Sequence, residues 1–351
     1  MSKRKFNGFI GTYTKGDSKG IYSFVFDKEK EQITDIELVA EVKNPTYVTI
    51  SEDNHYLYAV GADVDQGGLV AYAINQETKK LQELNRQMTE GSSPCYVGVN
   101  RTNSKVLAAY YHRGSVELFE TNHDGSLKPR KSVVQFAGNG PNKDRQEKPH
   151  THYAQFTPDE KYVVAVDLGI DQIITFEVSS GELKEVSKLT VRPGSGPRHL
   201  AFHPNGKIAY CMTELSNEVI VLQYNQEEGT FQELQYISTI PEDFTENSQG
   251  AAIRVTKDGR FVYVSNRGHN SIASFKVNEE DSTLSFIEYT SSGGNWPRDF
   301  QFDPTEEYVI GSNQESGNLV LYKRDTESGR LTLIDNTIKV PSPVCVAFLH
   351  E

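Results

Sequence analysis

Seven copies of one sequence phrase predict an all-β fold, a seven-bladed β-propeller with four antiparallel strands in each blade. Each copy opens at a Pro or small residue, runs through a short apolar strand, turns at polar residues and continues into an aromatic-rich strand. The copies begin at Pro45, Pro94, Thr151, Pro197, Gly250, Pro297 and Pro343. Their spacing of 46 to 57 residues is close to the length of one propeller blade.

Two further alternating strands follow each opening pair and complete the four. After Gly250, for example, the segments 271–277 (SIASFKV) and 284–289 (LSFIEY) both alternate polar and apolar residues, as half-buried strands do. No stretch has a helical period or the composition of a linker. We therefore expect one domain that spans residues 1–351.

The last copy is truncated, because only a single strand fits after Pro343. The three missing strands match segments at the N-terminus: 9–13 (FIGTY), 20–26 (GIYSFVF) and 36–40 (IELVA). We expect the C-terminal strand to pair with these three, which closes the ring and leaves no free sheet edge.

Composition excludes several classes of partner. A net charge of -12 argues against nucleic acid, because no basic stripe is available to displace counterions. No apolar run approaches the roughly 20 residues of a membrane helix, and the N-terminus lacks the apolar core of a signal peptide. We predict a cytoplasmic protein without a membrane partner. Three widely spaced cysteines, Cys95, Cys211 and Cys345, predict neither disulfides nor a thiolate metal site.

Superposing the copies predicts a site at one mouth of the channel. The first strand of each blade lines the channel and the second runs antiparallel, so the start of one and the end of the other share a mouth. The residues directly after the seven anchors are Thr46, Cys95, His152, Arg198, Ala251, Arg298 and Val344. The residues that end the second strands are Ala62, Tyr111, Leu168, Glu214, Arg267, Gln314 and, from the N-terminal segment, Tyr13.

Charge is concentrated in four adjacent blades of this series. Guanidinium groups bind phosphate or carboxylate and stabilise an oxyanion, while a histidine and a glutamate can move protons. The predicted catalytic residues are Glu214, His152, Arg198 and Arg267. The predicted substrate-binding residues are Arg298, His150, Tyr111 and Gln314. The pattern indicates chemistry on a small anion, with no cofactor and no metal ion.

Structural interpretations of the same residues stay open. The arginines could form salt bridges between blades with Glu214 or Asp299, and the tyrosines could belong to the core. We expect His199, His203 and His269 to serve packing or turns. Lys143 and Arg145 lie in an inserted segment, 136–148 (FAGNGPNKDRQEK), that should open at the same mouth. Both could reach a substrate, although such exposed loops are more typically solvated.

The motifs FIGTYT, HTHYAQFTPDEKYVVAVDLGIDQI, GPRHLAFHPNGKIAYCMTELSNEV and RVTKDGRFVYVSNRGHNSIASF resemble those of the seven-bladed propeller lactonases, the bacterial 6-phosphogluconolactonase group. The resemblance covers essentially the whole chain. It implies metal-independent hydrolysis of 6-phosphoglucono-1,5-lactone in the pentose phosphate pathway of carbohydrate metabolism. A fungal muconate-lactonising enzyme is similar too and implies a site of one His, two Arg and one Glu. By motif these fall on His152 or His150, Arg198, Glu214 and Arg267.

Three questions remain open at this point. Either Glu214 or His152 could be the general base, and the absence of a Gly-x-Ser-x-Gly motif argues against a serine nucleophile. The chain could instead be a non-catalytic propeller that binds a small anion, or act on another carboxylated lactone. A six-bladed metal-dependent lactonase disagrees with seven copies and with three arginines at the mouth. The expected assembly is a monomer or weak homo-oligomer.

Overall fold

The computed structural model describes residues 4–351, which form twenty-eight β-strands in seven four-stranded antiparallel sheets. The N-terminal strands are β1 (Lys5–Thr12), β2 (Gly20–Asp27) and β3 (Gln32–Glu41). Blade 1 contains β4 (Val48–Ile50), β5 (Tyr56–Asp63), β6 (Gln66–Ile74) and β7 (Leu81–Glu90). Blade 2 contains β8 (Tyr96–Val99), β9 (Lys105–Tyr110), β10 (Ser115–Glu120) and β11 (Ser132–Gln135).

The next four blades repeat this order. Blade 3 contains β12 (Thr151–Phe156), β13 (Tyr162–Asp167), β14 (Gln172–Ser179) and β15 (Glu182–Thr190). Blade 4 contains β16 (Pro197–Phe202), β17 (Ile208–Thr213), β18 (Glu218–Asn225) and β19 (Thr230–Ser238). Blade 5 contains β20 (Gln249–Val255), β21 (Phe261–Arg267), β22 (Ser271–Val277) and β23 (Leu284–Ser291). Blade 6 contains β24 (Pro297–Phe302), β25 (Tyr308–Asn313), β26 (Asn318–Arg324) and β27 (Leu331–Lys339).

Blade 7 closes the ring. The last strand, β28 (Pro343–Phe348), pairs antiparallel with β1, and Ile10 lies opposite Val346. Strands β1, β2 and β3 then complete the sheet. The predicted seven-bladed architecture and its closure by both chain ends are therefore confirmed. Among residues 4–351, no helix long and apolar enough to span a membrane is found.

The core lies between the facing surfaces of neighbouring blades. One cluster packs Phe26 of the closing blade against Tyr308 of blade 6, and another packs Val221 of blade 4 against Val264 of blade 5. The first strands of adjacent blades contact one another around the channel, whereas the fourth strands carry mostly exposed or half-buried residues. Each blade therefore depends on its neighbours to bury its apolar faces.

The first strands carry a β-bulge at the residue after the anchor in several blades. In blade 3, Thr151 lies opposite Asp167 and Tyr153 opposite Val166, which leaves His152 without a partner residue. The same irregularity leaves Arg198 in blade 4 and Arg298 in blade 6 without partner residues. A bulge bends the strand and redirects a side chain. These three charged or titratable residues are thus set apart from the regular alternation of the sheet.

Candidate active site

A cavity of about 380 Å³ opens at the channel mouth where the blade superposition predicts a site. Five predicted residues line it: Tyr111, His152, Glu214, Arg267 and Arg298. Tyr13, Thr46 and Cys95 from the same superposed positions complete much of the wall. Equivalent positions in different blades therefore converge on one space, although they are far apart in the sequence.

Glu214 is the centre of a buried charge cluster. Its Oε2 accepts hydrogen bonds from Arg198 Nε at 3.0 Å and from Arg267 Nη2 at 2.7 Å. Its Oε1 accepts one from Arg145. Only 4% of the Glu214 side chain is exposed, so the three guanidinium groups replace water as its partners.

This environment keeps Glu214 ionised. Burial alone would raise the pKa of Glu214, but the positive charges of Arg267 and Arg198 outweigh that effect and lower the pKa well below its ordinary value. Both carboxylate oxygens are also engaged in hydrogen bonds. Glu214 is consequently a weak proton acceptor.

Arg198 and Arg267 occupy different depths. Arg198 is 2% exposed, donates to the carbonyl of Ala251 at 2.7 Å and lies beneath the cavity. Arg267 lines the cavity and uses Nη2 and Nε to reach the carbonyls of Gly250 and Gln249, at 2.8 and 3.3 Å. Within residues 4–351, no acceptor is bonded to Arg267 Nη1. Arg267 can therefore contact a bound molecule directly, whereas Arg198 acts from below.

His152 is neutral at neutral pH. Burial lowers the pKa of its imidazole well below the ordinary value, and the adjacent Arg198 lowers it further. Its Nδ1 lies 3.2 Å from Nε2 of His199. In the described part of the chain no group is hydrogen-bonded to the other ring nitrogen, Nε2, and the residue lines the cavity.

Arg298 has no carboxylate partner among residues 4–351. Its guanidinium lies 5.2 Å from the centre of the Tyr13 ring. The neighbouring Asp299, which the sequence offers as a partner, turns away and pairs with Arg254 at 2.8 Å. Arg298 therefore brings an uncompensated positive charge to the wall of the cavity.

Two residues predicted to bind substrate lie outside the cavity wall. His150 is buried, bonds the carbonyl of Tyr111 at 3.0 Å and the carboxylate of Glu147 at 3.1 Å, and stacks on the Tyr111 ring at 4.3 Å. Gln314 turns its amide to Glu315. His150 thus supports Tyr111 from behind, and Gln314 is not among the residues that line the cavity.

Sequence reasoning undervalued Arg145. The inserted loop is folded around Gln146, which is fully buried and donates to the carbonyl of Leu168 at 2.9 Å. This anchor carries Arg145 to Glu214 and within 3.4 Å of the Tyr111 hydroxyl, while Lys143 stays exposed. The sequence signal that could have placed Arg145 at the site is the insertion itself, which lies at the mouth that holds the other candidates.

His199, which the sequence predicts to serve packing, packs against tyrosine rings and also lies beside the site. It is 5% exposed and contacts both His152 and Arg198. Beneath it Tyr47, Tyr96 and Tyr153 form an aromatic collar, with ring centres 4.3 and 4.7 Å apart. Tyr47 and Tyr96 also line a smaller cavity on the far side, so the collar separates the two cavities.

The donor set suits an anion better than a cation. Residues 4–351 contain no group of three or more His, Cys, Asp or Glu that could hold a metal ion. Three guanidinium groups, those of Arg145, Arg198 and Arg267, contact one carboxylate, and a fourth, that of Arg298, lines the same cavity. Such a surplus of positive charge attracts phosphate or carboxylate and repels divalent cations.

Comparisons with known proteins agree with this geometry. Residues 7–348 match the family model described as lactonase, 7-bladed beta-propeller. The 6-phosphogluconolactonase of Bacillus subtilis is 54% identical over 347 residues, 99% of each chain. A solved structure from Lactobacillus plantarum is 40% identical with a TM-score of 0.95, covering 99% of this chain and all of that one. The periplasmic gluconolactonase of Pseudomonas aeruginosa is 29% identical with a TM-score of 0.92, covering 98% and 99%.

Proposed function

This chain belongs to the seven-bladed β-propeller lactonase family, and from that premise we propose that it hydrolyses 6-phosphoglucono-1,5-lactone to 6-phosphogluconate without a metal ion. The name of the Bacillus subtilis relative supports this substrate. The observation that carries the proposal is the cavity itself, in which a neutral histidine faces the same space as two arginines with free nitrogens. A proton acceptor and anion-binding groups are what hydrolysis of an anionic lactone requires.

His152 is the general base in this mechanism. Its unbonded Nε2 takes a proton from a water molecule as the water oxygen attacks the lactone carbonyl carbon, C1. Both carboxylate oxygens of Glu214 are already hydrogen-bonded to arginines, which excludes it from that role. Glu214 instead holds Arg198, Arg267 and Arg145 in place and offsets part of their mutual repulsion.

Arg267 stabilises the negative charge that develops on the carbonyl oxygen. Its Nη1 has no acceptor among residues 4–351, and its other nitrogens are fixed by Glu214 and two backbone carbonyls. A donor held in this way needs no reorganisation when the tetrahedral intermediate forms. Arg198 adds positive potential from beneath the cavity.

Breakdown of the intermediate completes the reaction. The bond from C1 to the ring oxygen breaks, and protonated His152 returns its proton to that oxygen, which becomes the C5 hydroxyl. The new carboxyl group then ionises. One water is consumed, and no redox step or covalent enzyme intermediate is involved.

Arg298 binds the phosphate. A phosphorylated sugar lactone carries its charge at the end of the molecule remote from C1, and Arg298 is contributed by a different blade from Arg267. With no carboxylate partner it can donate two parallel hydrogen bonds to phosphate oxygens. We place the reaction in the cytoplasm, as the second step of the oxidative pentose phosphate pathway, because its substrate is an intracellular sugar phosphate.

The test is hydrolysis of freshly generated 6-phosphoglucono-1,5-lactone by EDTA-treated protein, with a blank that contains no protein. The variant Arg267→Ala is compared with Arg330→Ala, which removes an exposed arginine from the turn before β27. We expect acceleration that survives EDTA, falls in Arg267→Ala and persists in Arg330→Ala. A rate equal to the blank would overturn the assignment. Accelerated hydrolysis of glucono-1,5-lactone alone would overturn the assignment of a phosphorylated substrate. Loss of activity with EDTA would overturn metal independence.

A further inference from the structure

His199 shares its Nε2 between two neighbours inside the protein. Arg198 Nη1 lies 3.4 Å from it and His152 Nδ1 lies 3.2 Å from it. A guanidinium nitrogen has no lone pair available to accept a hydrogen bond, so it can only donate. An N–H on His199 Nε2 would face that donor, so this nitrogen must carry a lone pair.

The lone pair on His199 Nε2 also determines which ring nitrogen of His152 carries the hydrogen. If His199 Nε2 is an acceptor, then the nearby Nδ1 of His152 must be the donor and carry the hydrogen. In a neutral imidazole the other nitrogen is then unprotonated. For His152 that nitrogen is Nε2, which has no protein partner in the described part of the chain.

We propose that His199 is a positioning residue that holds His152 in the tautomer protonated at Nδ1, so that its unprotonated Nε2 faces the cavity. His199 does not touch the reacting atoms; it acts through His152. The inference rests on the proposed role of His152 as general base and explains why a histidine stands at this buried position. Without the acceptor, His152 could rotate or carry its hydrogen on Nε2, and it could not then receive a proton from water.

Burial maintains this arrangement. His199 and His152 are 5% and 4% exposed, so water does not compete for the hydrogen bond between them. The Tyr96 and Tyr47 rings contact the His199 ring edge-on, with ring centres 5.5 and 6.1 Å away. The charged groups that act on His152 are Arg198, Glu214, Arg298 and Arg267. Burial, helped by the net positive charge, keeps both imidazoles neutral, which is the state in which the tautomer matters.

The decisive measurement is ¹⁵N NMR of the wild-type histidine side chains at neutral pH, with the His152 signals identified by their loss in His152→Asn. Protonated and unprotonated ring nitrogens of a neutral imidazole give separate signals. We expect Nδ1 of His152 to be protonated and Nε2 unprotonated. A protonated Nε2 in the wild-type protein would overturn the inference, whatever the activity.

Kinetics of His199 variants provide a second measurement. His199→Phe keeps the ring but removes the acceptor, and we expect kcat to fall about 100-fold with little change in KM. His199→Gln, whose amide oxygen can accept the same hydrogen bond, should recover part of kcat. The matched control His203→Phe changes a histidine of the next turn, which bonds the carbonyl of Gly259 away from the cavity.

The results separate this inference from the proposed function. Full kcat in a folded His199→Phe variant would overturn the positioning role while leaving the lactonase assignment intact. Absence of lactonase activity in the wild-type protein would overturn the function, and the NMR measurement would still decide the tautomer.

Discussion

Glu214 and Arg267 join two neighbouring blades by a buried ion pair. Glu214 follows the second strand of blade 4, Arg267 ends the second strand of blade 5, and 2.7 Å separates the carboxylate Oε2 from Nη2. Arg198, from the first strand of blade 4, reaches the same oxygen at 3.0 Å. The cluster therefore connects blades 4 and 5 and also forms the floor of the cavity.

Removing the carboxylate should weaken the fold together with the site. Glu214→Gln leaves three guanidinium groups without their counter-charge, and breaking a buried pair in this way costs about 3 to 5 kcal/mol. We expect that loss in urea unfolding, along with a raised KM. The control Glu77→Gln removes an exposed carboxylate and should leave both quantities unchanged. Wild-type stability in Glu214→Gln would contradict the account of the cluster.

The low pKa of His152 should make activity resistant to mild acid. An ordinary histidine base is half protonated near pH 6.5, whereas burial and Arg198 keep His152 neutral well below that value. We therefore expect kcat/KM to stay near its neutral value at pH 6. His152→Asn should lower kcat about 100- to 10,000-fold with the folded state intact. A kcat/KM profile that falls by half at pH 6.5 would contradict this environment.

The same histidines should make stability depend on pH. His152 and His199 have folded-state pKa values below their unfolded values, so the unfolded chain binds more protons and stability is lost as pH falls below about 6.5. Two such groups give a slope of about 2.7 kcal/mol per pH unit, and one gives about 1.4. Urea unfolding between pH 6.5 and 5 should show the smaller slope in His152→Asn. Equal slopes in both proteins would argue against a neutral His152.

Arg298 should determine the preference for a phosphorylated substrate. Arg298→Gln removes a charge-assisted contact worth about 1.5 to 3 kcal/mol, which corresponds to a KM increase of about 10- to 150-fold. KM for glucono-1,5-lactone should not change. Lys143→Gln removes a positive charge from the exposed loop at the same mouth and is the matched control. An equal loss with both lactones would assign Arg298 to the fold or to the reacting end.

Arg145 should contribute to substrate binding more than to the chemical step. It is partly exposed, reaches Glu214 and approaches the Tyr111 hydroxyl at 3.4 Å. Arg145→Gln should raise KM about 10-fold, the effect of one charged hydrogen bond, with a smaller change in kcat. Steady-state kinetics over a range of lactone concentrations separates the two. A large fall in kcat at unchanged KM would place Arg145 at the reacting carbonyl instead.

The repeats made the fold and much of the cavity wall predictable. Because each blade has the same backbone path, residues such as Tyr111 and Arg267 could be placed at one mouth from their positions in the repeat alone. Arg145 could not be placed in this way, since its loop has no counterpart in other blades. The functional roles of the lining residues, and the extent of a single domain, stay predictions.

The position of His199 beside the site could not be predicted for a different reason. Strand alternation turns consecutive side chains to opposite faces, so a residue next to Arg198 should point away from the channel. The β-bulge at Arg198 breaks that rule, and His199 contacts both Arg198 and His152. The same bulge recurs in blades 3 and 6, but it is a backbone feature that the polar and apolar pattern of the sequence does not mark.

The pairing of β28 with β1 has a consequence for synthesis of the protein. Of the twenty-eight described strands, β28 is synthesised last, whereas its partner β1 is synthesised first. Until Pro343–Phe348 emerges, β1 has an open edge toward the channel and the ring is unsealed. Such long-range pairing forms slowly and leaves aggregation-prone intermediates. A growing chain can therefore stack its blades during translation, but the ring closes only after Phe348 has emerged.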